Sequence, residues 1–365
     1  MNTLEVTAGF LSTGKLFNGS FKAHLCLVCL FLLGLSSVTA YAVSSESSVM
    51  APRASRSLLL DCQAVGSFAA AVGERGHILT SADNGKTWSQ ANVPTRATLT
   101  GVFFLNQNLG WAVGHDQVIL RTRDGGRNWS LLYSNPQDER PLFDVFFKNA
   151  EDGVAIGAYG LYLVTSDGGD TWTEGDFMPK KYSSTVSDQE TREGDDEIWD
   201  FHLFQYAPSE NGHRFIAAET GNIFRSDDNT SWMAMPSPYN GSFFGVLPLE
   251  DDTLLIFGLR GHLFRSEDGG VSWRRIPVGS QATLTRGLRL KSGEIVITGL
   301  AGTLLISNDG GNSFVVRQQP DRQNILKAVQ TADESLILTG AFGVKRLTLD
   351  KLGIGNGSDP HVKDN

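Results

Sequence analysis

Six aspartates of this chain stand in one repeated frame, Ser/Thr-x-Asp-x-Gly-x-x-aromatic. They are Asp83 with Trp88, Asp124 with Trp129, Asp167 with Trp172, Asp227 with Trp232, Asp268 with Trp273, and Asp309 with Phe314. Carboxylates set beside glycines invite two chemical readings. A calcium loop of the EF-hand kind needs oxygen donors at positions 1, 3 and 5 and a glutamate at 12, and no copy complies. A phosphate cradle needs a helix to follow, and β-rich sequence follows every copy here. The third reading is mechanical. The Asp accepts bonds from the amides of a turn, the Ser or Thr hydroxyl helps, and the Gly supplies a conformation that other residues resist. The aromatic then packs back between structural units. The fourth copy is damaged. Counting back from Trp232 gives Asp227, and counting forward gives Asp228. One residue is missing, and Asn229 or Thr230 stands where Gly is expected, so a looser turn is expected there.

Three histidines and several other carboxylates are of types that could do chemistry. His77 and His262 occupy equivalent turns, and His115 lies near its own. Three imidazoles on one face suggest a metal site, but separate repeats set them too far apart to share an ion. Asp144, Asp200 and Glu219 are candidate acid or base residues. Asp144 and Asp200 fall at matching repeat positions, which points to repeat structure rather than to a catalytic pair. No Gly-x-Ser-x-Gly nucleophile elbow occurs. No metal and no cofactor is expected.

The elements that must position these residues follow from the spacing. The motif aspartates lie 41, 43, about 60, about 41 and 41 residues apart. A period near 40 with four short strands per unit marks a radial β-repeat. Each motif follows an apolar run and a turn, which reads Gly-x-x-Gly in four of the six, at Gly73 and Gly76, Gly157 and Gly160, Gly258 and Gly261, and Gly299 and Gly302. Another copy, Gly340 to Gly343, has no motif after it. Paired glycines between β-rich runs read as a tight hairpin. One unit is strand A, strand B, this turn, strand C, the Asp motif and strand D. Seven B–C turns give an all-β, seven-bladed β-propeller of four-stranded antiparallel blades over residues 57–350. Blade 7 shows three strands, and residues 43–56 are expected to be a linker or a closing strand. Residues 351–365 read as a flexible tail.

Residues 1–42 read as a secretory signal peptide: Lys15 and Lys22, an apolar run at 25–35, and a final Ala40-Tyr41-Ala42. The run is shorter than the ~20 residues that span a bilayer. Export follows, with the periplasm expected and a thylakoid lumen or the outside of the cell left open. Cys62 would be the mature chain's one cysteine, which excludes an internal disulfide. Losing Glu5, Lys15 and Lys22 leaves 29 basic against 39 acidic residues, a net −10. That balance argues against nucleic acid as a partner. A monomer without a transmembrane segment after cleavage is expected.

The motif is similar to the BNR or Asp-box repeat. Joined to Gly-x-x-Gly and repeated over about residues 57–349, it resembles the photosystem II stability/assembly factor-like family. The resemblance implies a non-catalytic scaffold that binds protein and helps assemble or stabilise a membrane or envelope complex. Members that act on photosystems share an arginine-rich surface in mid-propeller. Here the corresponding residues 173–198 hold eight Asp or Glu against three Lys or Arg, which weighs against a photosystem client. The alternative is a carbohydrate-active or carbohydrate-binding propeller, since sialidases and xyloglucan hydrolases also carry Asp-boxes. Such catalysis needs two carboxylates ~5–10 Å apart, or in sialidases a Tyr nucleophile with an arginine triad. Arg275-Ile276-Pro277 matches a sialidase mark but follows the fifth box, whereas that family places it before the first.

Strand parity puts the A–B and C–D turns on one face and the B–C turns and D–A links on the other. The B–C face is the expected partner surface. It gathers Glu74, Arg75 and His77 (blade 1), His115 and Asp116 (blade 2), Tyr159 (blade 3), Glu219 (blade 4), and Arg260 and His262 (blade 5). The long D–A insertion at 173–198 is expected to contact a partner from the same face.

Overall fold

The computed structural model describes residues 46–182 and 200–354. The signal segment, most of the insertion and residues 355–365 lie outside the described residues. Seven antiparallel meanders form the propeller. Their A strands are Leu59–Val65, Leu99–Phe104, Leu142–Phe147, Leu203–Pro208, Phe243–Pro248, Leu284–Arg289 and Ile325–Gln330. Successive A strands adjoin in a ring that closes from the seventh to the first. Six blades have four antiparallel strands, and blade 7 has three. Blade 4 gains a fifth, Lys180–Lys181, which runs parallel to Met233–Ala234 at its outer edge. That pair is the described start of the insertion.

The core sits between blades. Apolar residues from each neighbouring pair merge into a cluster, and seven such clusters follow the ring. B strands read as apolar runs because both faces are covered: every residue of Phe68–Gly73 and Leu254–Gly258 is buried.

The Asp-box forms the C–D turn as expected. In blade 1 the Ser81 hydroxyl donates to Asp83 Oδ1 (2.8 Å) and accepts the Gly85 N–H (2.9 Å). The Lys86 and Thr87 amides donate to the same carboxylate oxygen (3.0 and 2.9 Å), and the Thr87 hydroxyl to the other (2.7 Å). Trp88 closes the turn through Nε1 on Gly85 O (3.1 Å) and packs toward blade 7. C–D turns bond to the A–B turns of their own blades, as in Asn84 N–H to Ser67 O and Gly125 N–H to Asn108 O, so the two share a face. A clasp between blades accompanies the box. The third residue of strand C is arginine in blades 2, 4 and 5. It donates to the carbonyl of the next box: Arg121 to Gly168 (3.0 Å), Arg225 to Gly269 (3.5 Å) and Arg265 to Gly310 (3.3 Å).

Blade 4 corrects the count. Asp228, not Asp227, takes the box position: it accepts the Ser226 hydroxyl (3.1 Å) and the Thr230 and Ser231 amides (2.8 and 2.7 Å). Asn229 replaces glycine with a positive φ of 67°. The turn is one residue shorter and keeps the bonds of the Ser226 hydroxyl and of the turn amides, so it is tight rather than loose. Asp227, displaced outward, instead meets His213 Nδ1 at 2.5 Å. Strand A of blade 4 also starts later than the match of Asp200 to Asp144 requires, at Leu203. The repeat partner of Asp144 is therefore Gln205, and Asp200 is an exposed residue ahead of the strand.

The ring closes through a link and not through a strand. In blades 1, 4 and 5 the second glycine of the B–C turn abuts a carbonyl of the D–A link, so that a Cβ on Gly76 would meet Thr95 O at 2.1 Å. In blade 7 the same position, Gly343, abuts Ser55 O. Residues 53–58 thus supply the missing D–A link, and Ser48 N–H ties their start to Val93 O in blade 1 (2.8 Å). At the other end Leu352 and Ile354 are buried against blades 6 and 7, so the folded unit runs past 350.

The box carboxylates make stability depend on acid. The Thr171 hydroxyl and amide hold Asp167 at about 2. At Asp309 burial pushes upward, but the Ser313 hydroxyl and amide win and hold it at about 2. Bonds from Thr87 and from Ser231 and Thr230 likewise depress Asp83 and Asp228. Carboxylates lower in the folded than in the unfolded chain (~3.9) stabilise fully above that value and lose the effect below it. The urea midpoint should stay level from about pH 7 to 5 and fall between about pH 4 and 2. A level midpoint down to about pH 2.5 would refute this account.

Candidate functional site

The B–C hairpins of blades 1 to 6 are two-residue turns of the type I′ form. In blade 1 the His77 N–H returns to Glu74 O (3.0 Å), and Arg75 and Gly76 both have positive φ, 58° and 70°. Gly can hold that conformation freely, and other residues hold it at a cost. Arg75, Asp116, Tyr159, Thr220 and Arg260 all hold it, which projects their side chains from the rim. Next to each turn the chain bonds back to the residue before strand A, as in Glu74 N–H to Leu58 O (3.1 Å) and Glu219 N–H to His202 O (3.0 Å). Strand A therefore starts at this face.

The second residue of each strand A lines the channel at its B–C mouth. In blades 3, 4 and 5 it is Phe143, Phe204 and Phe244, all half-buried. Phe143 and Phe204 lie 5.7 Å apart between ring centroids, and Phe204 and Phe244 4.7 Å apart. His202 sits over this row, 5.8 Å from Phe143, 6.0 Å from Phe204 and 4.7 Å from Tyr159. Its Nδ1 accepts the Tyr159 N–H (3.2 Å), and Glu219 Oε2 accepts the His202 N–H (3.4 Å). The Tyr159 ring is 55% exposed. An aromatic shelf with one imidazole and one carboxylate at its edge results.

One residue deeper, a second ring carries charge. A register irregularity in every strand A turns its third residue toward a neighbouring blade. Asp61 Oδ2 accepts Val102 N–H (2.9 Å), Asp144 Oδ2 accepts Tyr206 N–H (3.0 Å), and Gln205 Oε1 accepts Val246 N–H (3.1 Å). Arg286 reaches back to Phe244 O (2.6 Å) and Phe204 O (3.1 Å). Lys327 Nζ meets Asp61 Oδ1 at 2.6 Å. Burial pushes Asp144 above the usual carboxylate range while Arg286 pulls it back. Burial works to lower Lys327, but Asp61, Cys62 and Asp144 together outweigh it and hold it high. Beside them burial drives the Cys62 thiol up to about 12, so it is an inert core thiol. Asp61 and Asp144 are both spent on backbone amides of the next blade.

Of the residues expected on this face, Arg75, His115, Asp116, Tyr159 and Arg260 are exposed. Glu74 is half-buried and accepts Leu58 N–H (3.3 Å). His77 is a correction: its ring is 3% exposed and belongs to the core. His262 is half-buried and packs edge-on to Tyr239 at 4.0 Å. The fold brings Tyr159 and Glu219 together through His202, and brings Arg260 and His262 together near Arg275. Arg75 with Glu74 on blade 1, and His115 with Asp116 on blade 2, lie in turns separate from these groups. Sequence reasoning missed Phe143, Phe204, Phe244 and His202. The signal was present, a Phe at one repeat position in three successive blades, but reading strand A of blade 4 too early hid it.

Among the described residues no helix is long and apolar enough to cross a membrane. The family described as Photosynthesis system II assembly factor YCF48 matches residues 57–138 and 80–185. The chain is 34% identical over 98 residues to Photosystem II stability/assembly factor HCF136, chloroplastic, of Cyanidioschyzon merolae, covering 25% of this chain and 22% of that one. It spans less than a third of the length of the curated relatives it matches. Among solved structures, YCF48 bound to D1 peptide superposes with a TM-score of 0.64 at 18% identity, covering 83% of this chain and 96% of that chain. An ancestral GH74 enzyme shares the fold at a TM-score of 0.62 and 11% identity, over 80% of this chain and 45% of that one. In its repeat, its seven blades and its relatives, the chain is similar to the photosystem II assembly factors of the YCF48 type.

Proposed function

We propose that the protein is an exported, non-catalytic propeller that holds an extended segment of a membrane or envelope protein during assembly of its complex. The carrying observation is the aromatic shelf of Phe143, Phe204, Phe244, His202 and Tyr159 on the B–C face. Rigid aromatics around a mouth rimmed by exposed Arg75 and Arg260 suit a peptide with apolar anchors. Similarity to a protein whose structure holds a peptide supports this reading. The signal-like start supports the periplasm as the site of action. The carbohydrate-active alternative asks for a free carboxylate pair, and Asp61 and Asp144 are engaged in holding blades together.

The test is in-cell crosslinking and affinity capture of the tagged, exported chain, with partners identified by mass spectrometry. A defined membrane complex should be recovered. Tyr159→Ala, at an exposed position, should cut its recovery about tenfold with an unchanged melting temperature, and Phe204→Ala and the pair Arg75→Glu with Arg260→Glu should weaken it as well. Equal recovery by all variants would defeat the face assignment. A clean preparation without protein partners would defeat the scaffold reading.

A further inference from the structure

The repeat departs from its pattern where blade 3 meets blade 4, and departures from a regular repeat concentrate at functional sites. Where blades 2, 4 and 5 carry a clasping arginine, blade 3 carries Val164. Blade 1 also lacks the arginine, but there the Thr80 methyl lies close beneath Gly126. Between blades 3 and 4 neither device is present. The box of blade 4 is one residue short. Two tyrosines of the interface, 4% and 5% exposed, hold Asn229 in place: Tyr162 donates to Asn229 O (2.9 Å) and Tyr206 to Asn229 Oδ1 (2.7 Å). A cleft of about 390 Å³ remains on the Asp-box face, opposite the aromatic shelf.

Its lining is specific. Phe146 and Val164 give an apolar wall, Ser166 and Thr173 offer hydroxyls, and Lys148 and Arg214 bring positive charge. Arg214 is anchored through Nη1 on Gly212 O (2.6 Å) and on Asp227 O. Among the described residues neither cation forms an ion pair with a carboxylate. The two carboxylates of the lining are engaged: Asp152 accepts Asn149 Nδ2 (2.8 Å), and Asp228 accepts its box amides. The size is at the small end of ligand sites and suits one ring-sized molecule. From this arrangement we infer that the blade 3–4 cleft binds a small polyhydroxylated ligand with one anionic group, a sugar acid or a sugar phosphate. The ring packs on Phe146 and Val164, the hydroxyls meet Ser166 and Thr173, and the anion lies between Lys148 and Arg214.

Calorimetric titration of the exported chain with D-glucuronate and with D-glucose 6-phosphate tests this and separates the two sources of charge. At least one should bind, with D-glucose and inorganic phosphate each about tenfold weaker or more. Lys148→Ala, at an exposed position, should weaken binding about tenfold without moving the melting temperature. Val164→Arg installs the guanidinium that other interfaces carry and should abolish binding by filling the cleft. No binding by either anionic sugar at tens of millimolar would overturn the inference. So would binding that survives both variants, or phosphate binding as tightly as the sugar phosphate, which would mean an adventitious ion only. None of these outcomes touches the B–C face, so the scaffold reading is tested separately.

Discussion

Replacing Trp111 with alanine should cost about 3–5 kcal/mol, among the largest losses available to one substitution in this fold. Trp111 lies in strand B of blade 2 (Gly110–Gly114) and is fully buried. Its ring stacks on Phe147 of blade 3, with centroids 3.5 Å apart and planes within 7°. Phe147 in turn meets Trp172 edge-on at 5.8 Å. Trp111 Nε1 donates to Gly168 O (2.9 Å), the carbonyl that Arg121 also clasps. The residue therefore joins two blades by stacking and by a hydrogen bond, and alanine would leave a cavity between blades that are fixed by their neighbours. Against a total stability of about 5–15 kcal/mol, the urea midpoint should fall steeply. Trp111→Phe should recover most of the loss, missing about 0.5–1.5 kcal/mol for the indole bond. Trp273→Ala is the contrast: that ring is half-exposed and bonds Pro236 O at 3.0 Å, so its loss should be smaller. A Trp111→Ala protein within about 1 kcal/mol of the parent would refute the claim that blade 2 is held to blade 3 through this ring.

The fold was legible because the box announces itself locally. Ser81, Asp83, Gly85 and Trp88 lie within eight residues and bond to one another, so composition alone shows the turn, and its period shows the ring. Trp111 was less visible. It belongs to no motif, and its partners Phe147 and Gly168 are 36 and 57 residues away. The same limit hid the aromatic shelf, whose members are spread over strands of three blades and meet only across the ring. Blade 4 misled twice. Two adjacent aspartates left the choice between 227 and 228 to bonding, and only the amides of Thr230 and Ser231 decide it for Asp228. Matching Asp200 to Asp144 sets its strand A too early, since the strand starts at Leu203 and Gln205 is the partner of Asp144. His77 looked like a surface group because it neighbours Arg75 at the turn tip, yet strand alternation turns it inward.

Lys327→Met should cost about 3–5 kcal/mol, because it strands the Asp61 carboxylate inside the ring with its cationic partner gone. Asp61 is 4% exposed and sits where blade 7 meets blade 1. Its Oδ2 is committed to Val102 N–H of blade 2, so the side chain cannot swing to water without giving up that bond. The same pair in solvent would contribute ~0–1 kcal/mol, since exposed ion pairs are screened and mobile. The double variant Asp61→Asn with Lys327→Met separates the charge from the architecture. Asparagine keeps an acceptor for Val102 and needs no counter-ion, so most of the stability should return, as expected when a buried pair's desolvation offsets its attraction. Urea midpoints of the parent, the single variants and the double variant form a cycle. A large single loss with recovery in the double would show that Lys327 neutralises Asp61 and that the hydrogen bond to blade 2 does the joining. Losses that simply add would show that Asp61 and Lys327 do not couple, which would refute the claim that Lys327 neutralises Asp61. A negligible single loss would place closure on Ser55 and the link at residues 53–58, which meets Gly343 from the N-terminal side.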